Sequence, residues 1–219
     1  MFDPTSVNMI LEGLLQTLYM TVLSTVLAYV IGLPLGVLLV TSAKDGIAPR
    51  PVLYKVLDVI VNIMRSIPFL ILLIAIMPLT RLIVGTTIGP NATIVPLVIA
   101  AFPFVARMVE SSLKEVSPGL IEAALSLGAS PMQIVTKVLV PEALPSLTVG
   151  AAIAITTILG YSAMAGIVGG GGLGDIAIRY GYYRYETGIM IVTVVLLVVV
   201  VQIFQEIGMR LASHEDKRK

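Results

Sequence analysis

Long apolar runs alternate with short polar stretches along this chain, and the length of the runs sets their meaning. A helix needs roughly 20 mainly apolar residues to cross the hydrocarbon core of a bilayer. Runs near that length fall at about 14–41, 57–79, 91–109, 143–168 and 187–208, which predicts five transmembrane helices. The third carries Pro96 and Pro103, which are tolerated where neighbouring helices satisfy the freed carbonyls. One connection stands apart from the others. The stretch "SPGLIEAALSLGASPMQIVTKVLVPEALPSL", from Ser117 to Leu147, carries start and stop signals for two short helices.

Composition sharpens this pattern into a class. The 219 residues are 57% apolar and 12% charged, with a mean hydropathy of +1.00. An ordinary globular domain is about 25% charged. The chain is therefore read as an integral membrane protein, a single membrane domain over 1–219 with no internal repeat. A net charge of +1 argues against bulk attraction to nucleic acid. No cysteine is present, so disulfides, thiolate metal sites and cysteine nucleophiles are excluded together, and no metal site is expected. The single histidine, His214, lies in a charged tail. The N-terminus carries Asp3 and Glu12 in place of a positive leader region, so no cleaved leader is expected.

Cytoplasmic loops of membrane proteins carry an excess of Lys and Arg. Lys44, Arg50 and Lys55 lie between runs one and two, Lys114 and Lys137 between runs three and four with Arg107 at the edge, and Arg210, Lys217, Arg218 and Lys219 in the tail. The opposite side holds only Arg81, Arg179 and Arg184. The expectation is an N-terminus outside, a C-terminus inside, and the Ser117–Leu147 hairpin in the cytoplasm.

Ser117-Pro118 and Ser130-Pro131 repeat one device, a serine able to cap a helix and a proline at the first helical position, where its missing N–H costs nothing. Gln133, three residues after Ser130, completes a capping-box pattern. Gly128 follows the apolar positions Leu120, Ile121, Ala124 and Leu127, where a helix can end in a left-handed residue. The second helix is expected to run to about Val140, where Pro141 breaks it. Ala123, Ala124 and Gly128 leave part of the hairpin almost without side chains, which lets another protein's backbone approach. A plain amphipathic connector on the membrane surface is the alternative. A DNA-reading helix-turn-helix is set aside, since the hairpin has one basic residue, Lys137.

The order Glu-Ala-Ala, three residues, then Gly, followed by a proline-bounded helix, resembles the cytoplasmic EAA loop of permease subunits of bacterial ABC importers. The matching positions are Glu122, Ala123, Ala124, Gly128 and Pro145, and Ser130 and Pro131 of the second helix start join them as candidate ATPase-coupling residues. The segments "NIMRSIPFLILLI", "TRLIVGTTIG", "PFVARMVE", "GASPMQIVTKVLVPEALP" and "GYSAMAGIVGGGGLG" together resemble the methionine branch of that family and span most of the chain from Asn62 to Gly174. The resemblance implies an all-α, five-span permease whose loop over 117–145 forms coupling helices seated on an ATP-hydrolysing subunit. It implies a second copy of the chain, two cytoplasmic ATP-binding subunits, an external methionine-binding protein, and a place in the bacterial plasma (inner) membrane. No cofactor would sit on this chain, ATP and Mg being held by the ATPase, and the chain would do no covalent chemistry. The substrate implied is methionine, of either hand. Another amino acid or a short peptide is the alternative, and a secondary transporter a further one, which five unrepeated spans argue against.

Other residues need an account. Asp58, Asn62 and Arg65 share a helix face inside the second run, where charge is costly. Either they face a polar interior, with Arg65 compensated by Asp58 or by carbonyls, or they sit at headgroup level. "GGGGLG", Gly169 to Gly174, fits a dinucleotide-binding pattern only formally, since no strand precedes it. With no Walker motif in the chain, ATP would be hydrolysed elsewhere. The glycines are read as a flexible outer gate, or else as an ordinary loop. Tyr180, Tyr182, Tyr183 and Tyr185 beside Arg179 and Arg184 suit an interfacial aromatic belt or a docking surface for an external partner. In the resembled family the fourth span borders the translocation path, which makes Tyr161, Ser162 and Met164 candidates for lining it. Helix packing by small residues is the competing account of that span.

Overall fold

The apolar runs fold as helices because a backbone in hydrocarbon must satisfy its own N–H and C=O groups. A computed structural model describes residues 4–215, so Asp3, Lys217, Arg218 and Lys219 lie outside the described residues. The described residues form helices α1 (Pro4–Ser42), α2 (Pro51–Ser66), α3 (Phe69–Ala75), α4 (Met77–Val84), α5 (Pro90–Lys114), α6 (Pro118–Ser126), α7 (Pro131–Ile134), α8 (Val140–Ala165), α9 (Gly172–Ile176) and α10 (Thr187–Glu215), and no strand. α7 runs into α8 through a π-helical turn, Val135–Leu139, and α8 ends in a 3₁₀ turn, Gly166–Val168. Four of these helical stretches, Pro4–Ser42, Pro90–Lys114, Pro131–Val168 and Thr187–Glu215, are long and apolar enough to cross a membrane, and α2 with α3 makes a fifth if the bent pair is one span.

That pair corrects the expectation of a single helix over 57–79. The helix breaks at Ile67 and Pro68, between α2 and α3. Pro68 has ψ 133°, an extended value, and the residue before a proline is itself pushed out of the helical region. A second correction concerns Pro141, which does not end the second hairpin helix. The wide turn before it lets the Val140 N–H bond to the Val135 carbonyl, five residues back. The extra residue lets the helix carry the proline and run on to Ala165. Pro96 and Pro103 are likewise buried within an unbroken α5.

The helices group into two compact units. Among the described residues the first holds 4–27, 67–101 and 154–205, and the second 28–66, 102–153 and 206–215. In the first unit the glycine segment between α8 and α9 is a packed turn. Gly169, Gly171 and Gly172 have φ of +76°, +81° and +77°, which favours glycine there. Gln16 Oε1 and Thr17 Oγ1 of α1 accept from the Gly172 and Leu173 amides at 2.9 and 2.8 Å, and Thr93 Oγ1 of α5 donates to the Gly170 carbonyl at 3.1 Å. The segment expected as a flexible gate, Gly169–Gly174, is in this structure a turn hydrogen-bonded to two helices, α5 at Gly170 and α1 at Gly172 and Leu173.

In the second unit α1 packs on α5 through Gly32 and Gly36, one helical turn apart. A Cβ on Gly32 would lie 2.8 Å from the Phe102 carbonyl oxygen, and one on Gly36 2.6 Å from that of Ala106. Such small-xxx-small pairs let helix backbones approach where lipid offers no hydrophobic drive. α10 keeps the opposite character. Ile191, Val194, Val195, Val198, Val199 and Ile203 form an exposed apolar stripe at helical spacing, as a lipid-facing helix requires.

Candidate functional site

The hairpin lies in the second unit. α6 has no buried residue, which sets it apart from the helices around it, and Leu120, Leu125 and Leu127 are exposed. Glu122 and Ala123 face outward and Ala124 is half-buried. The helix stops where glycine makes stopping easy. Gly128 has φ +78°, its N–H bonds to the Leu125 carbonyl at 2.9 Å, and the Ala129 N–H reaches back to Ala124 at 3.0 Å.

The second helix starts on the expected capping box. Ser130 Oγ accepts from the Gln133 amide at 3.4 Å and the Gln133 side chain accepts from the Ser130 amide at 2.8 Å, with Pro131 at the first position. Ser117 differs, since its hydroxyl makes no capping bond. The Leu120 amide that a cap would satisfy bonds to the Ser117 carbonyl at 3.1 Å instead. Pro145 lies within α8, half-buried, on the wall of a small cavity with Ser112, Glu115 and Ser146. A larger cavity of about 570 Å³ runs beside α6, with Lys44, Tyr54, Lys114, Glu122 and Leu125 on its walls.

The polar face of α2 finds a partner that the sequence reading did not assign. Arg107 Nη2 of α5 donates to Asp58 Oδ1 at 2.6 Å and to Asn62 Oδ1 at 2.9 Å. Arg107 Nη1 donates to Glu110 Oε2 at 2.5 Å, and Lys114 Nζ to Glu110 Oε1 at 2.6 Å. Arg65 is exposed and makes no ion pair among the described residues, so pairing of Arg65 with Asp58 is corrected. The reason is distance along the axis, since Arg65 lies two turns, about 10 Å, beyond Asp58 on the same face. Asp58 and Asn62, one turn apart, point at α5, while Arg65 ends the helix beside the break at Ile67. The signal for the missed residues was present in the spacing. Glu110, with cations at i−3 and i+4, sits in an otherwise apolar helix.

The proposed pathway residues separate in the first unit. The Tyr161 ring stacks on Phe69 of α3 with centroids 4.5 Å apart and planes 5° from parallel. Met164, three residues on, is exposed. Ser162 is buried and donates to the Leu159 carbonyl at 2.7 Å, turned away from the face that Tyr161 and Met164 share.

The segment before α10 is anchored at its start. Asp175 of α9 is 4% exposed and pairs with Arg179, whose guanidinium is held above its ordinary value by that hydrogen bond first and by the carboxylate charge second. Beyond it Tyr182, Tyr183 and Tyr185 are exposed, and the Arg184 guanidinium lies 4.5 Å from the Tyr180 ring centre.

A family model for the binding-protein-dependent transport system inner membrane component matches residues 32–210. A relative from Vibrio cholerae, named as a probable D-methionine transport system permease protein MetI, is 54% identical over 96% of this chain and 94% of its own. The Escherichia coli K12 D-methionine transport system permease protein MetI is 51% identical over 72% of this chain and 73% of its own. Among solved structures, a chain of the inward-facing MetNI methionine ABC transporter superposes with a TM-score of 0.97 at 48% identity, covering 99% of this chain and all of that one. An amino acid ABC transporter with histidines, at 20% identity and a TM-score of 0.79 over 98% of this chain and 99% of its own, shares the fold.

Proposed function

Since the chain belongs to the family of binding-protein-dependent transport system inner membrane components, we propose that it is the permease subunit of an ABC importer carrying methionine across the inner membrane. The observation that carries this reading is α6, a helix with no buried residue in a chain otherwise built for lipid, closed by a left-handed glycine and followed by a capped second helix. A helix of that kind needs a partner to cover it. On this reading the partner is the ATP-binding subunit, with Glu122, Ala123, Ala124, Gly128, Ser130 and Pro131 at or beside the contact and Pro145 behind it in α8. The methionine-transport names of the relatives support the substrate, and D- as well as L-methionine.

The chain works as a pair with a second copy of itself, with two ATPase subunits in the cytoplasm and a methionine-binding protein outside. ATP and Mg belong to the ATPase, and this chain holds no cofactor of its own. The loops with Lys44, Arg50, Lys55, Lys114 and Lys137 face the cytoplasm, as does the C-terminus, because Lys and Arg gather there. Tyr161 and Met164 line the route of the substrate, and the buried Ser162 braces the helix behind them. A ligand moves such an equilibrium only by its differential affinity for the two states, so closure of the ATPases on ATP drives the change and the binding protein selects the cargo.

The test is uptake of labelled methionine into proteoliposomes holding this chain and its ATPase, with the binding protein outside and other amino acids as competitors. ATP-dependent uptake displaced only by methionine of either hand or by close thioether analogues is the expected result. Uptake driven by a proton or sodium gradient without ATP would overturn the reading in favour of a secondary transporter. Competition by unrelated amino acids would overturn the substrate.

A further inference from the structure

On the reading that this chain is an ATP-driven permease, we propose that Glu110 is a positioning residue that ties α2 and α5 to the coupling loop, so that displacement of the loop moves the helices together. All the groups concerned lie in the second unit. The Glu110 side chain is 2% exposed, and each of its oxygens holds one cation, Arg107 on one side and Lys114 on the other. Arg107 leaves its own helix to grip Asp58 and Asn62 of α2. Lys114 is the last residue of α5, four residues before α6 begins at Pro118, and shares the wall of the 570 Å³ cavity with Glu122 and Leu125 of α6. The polar chain thus starts on α2, crosses α5 and ends where the coupling loop begins.

Stability alone is a poor reason for this arrangement. A buried ion network is often matched or bettered by apolar side chains of the same volume. Arg107 Nε adds to the cost, being buried with no acceptor among the described residues. Paired charges instead supply direction and register. Two acids and two bases in sequence are satisfied in one arrangement of α2 against α5, and a sliding or rotation of either helix would break the bonds from Arg107, held in place by Glu110, to Asp58 and Asn62. A link that holds one register is what converts a push on a short loop into movement of long helices. One lacking it lets the loop flex while the ATPase turns over.

The test uses the assembled transporter in proteoliposomes, with methionine uptake and phosphate release recorded from the same vesicles, giving uptake per ATP. Glu110→Gln removes the charge held by both cations, and Asp58→Asn loosens the grip on α2 while leaving both Glu110 pairs in place. Glu206→Gln, which removes an exposed pair with Arg210 in the same unit, is the control. Uptake per ATP is expected to fall at least about fivefold in the first two variants, the low end of ordinary coupling between sites. It should stay unchanged in the control and recover in part in Glu110→Asp. Uptake and hydrolysis falling in proportion, at constant uptake per ATP, would show a merely structural role and overturn the proposal, as would no change in either. Should Glu110→Gln fail to assemble, Asp58→Asn decides by the same ratio. Absence of ATP-driven methionine uptake in the wild type would sink the transport reading and this proposal with it, whereas normal wild-type uptake with unaltered ratios sinks this proposal alone.

Discussion

Gly128 offers a perturbation whose parts can be separated. Its φ of +78° is left-handed, and a Cβ placed on it would meet no atom within 4 Å. Substitution therefore costs only backbone strain within this chain, about 1–2 kcal/mol for an ordinary L residue and less for Asn or Asp, whose short polar side chains tolerate that region. The membrane helices are untouched, so the variants should insert at wild-type levels. Asn and Asp have nearly the same shape, so comparing them isolates charge from bulk and from strain. If α6 and its turn press against the ATPase, Gly128→Asp buries an unpaired carboxylate there, at a cost of about 3–5 kcal/mol. At about 1.4 kcal/mol per tenfold, that is a loss of roughly a hundredfold or more in the coupled state. The assay is ATP-dependent methionine uptake at matched protein level, together with recovery of the ATPase on the tagged permease. Gly128→Asn should keep uptake within about threefold of wild type. Gly128→Asp should lose uptake and retain less ATPase. An Asp variant that transports as well as the Asn variant would refute close approach at this turn.

Other substitutions test the frame around the site. Gly36→Ala sets a methyl 2.6 Å from the Ala106 carbonyl oxygen, so overpacking should destabilise by about 1–3 kcal/mol, seen as a lower melting midpoint in detergent. Gly160→Ala, with nothing within 4 Å, should raise the midpoint instead, a helical Gly being about 1 kcal/mol worse than Ala. Ser130→Ala removes the hydroxyl half of the capping box and should weaken the start of α7 by about 1 kcal/mol, read as faster hydrogen exchange at Gln133. Arg179→Gln strands the buried Asp175 carboxylate and should destabilise by about 1–3 kcal/mol, tempered by the exposure of Arg179. The double variant with Asp175→Asn should recover part of the loss, and no recovery would mean the pair is not the source of the effect.

Features carried by backbone rules were legible from residue order. The left-handed Gly128 and the Ser130–Gln133 box needed only local spacing, because a cap is made by residues within one turn of each other. The apolar runs mapped onto α1, α5, α8 and α10 because length decides crossing. Features that depend on what lies opposite were not legible. Nothing local told Asp58 to pair with Arg107, 49 residues away, in preference to Arg65 on its own helix. Pro141 was misread as a helix end because a π-helical turn absorbs a proline without leaving a mark in composition. The glycine turn looked loose in sequence for the same reason that it packs closely in the fold, since bare backbone is equally suited to bending and to being gripped. The outward face of α6 was expected from its alanines, and its structure shows the complement, that α6 itself buries nothing while the second hairpin helix buries Ile134.

Within the second unit these features converge on one stretch, residues 102–114 at the end of α5. Gly32 and Gly36 of α1 press against its Phe102 and Ala106 carbonyls, and Asp58 and Asn62 of α2 hold its Arg107. Ser112 accepts a hydrogen bond from Ser146 of α8 at 2.9 Å. Three helices are thus fastened to about three turns of a fourth by unlike means. The first contact is steric and permits little shear, while the other two are directional. The coupling loop leaves from the end of that stretch after Lys114 and rejoins the long helices of the same unit through α7 and α8. A force on the loop therefore meets α5 at the point where α1, α2 and α8 are attached to it, and its first effect is displacement of a packed group rather than bending of one helix. The prolines of α5 do not weaken that route, because Pro103 is buried among these contacts and the helix stays continuous from Pro90 to Lys114. On the proposed reading, in which ATP moves the permease through α6, the push needs a lever attached where the load is gathered, and residues 102–114 are placed to be that attachment.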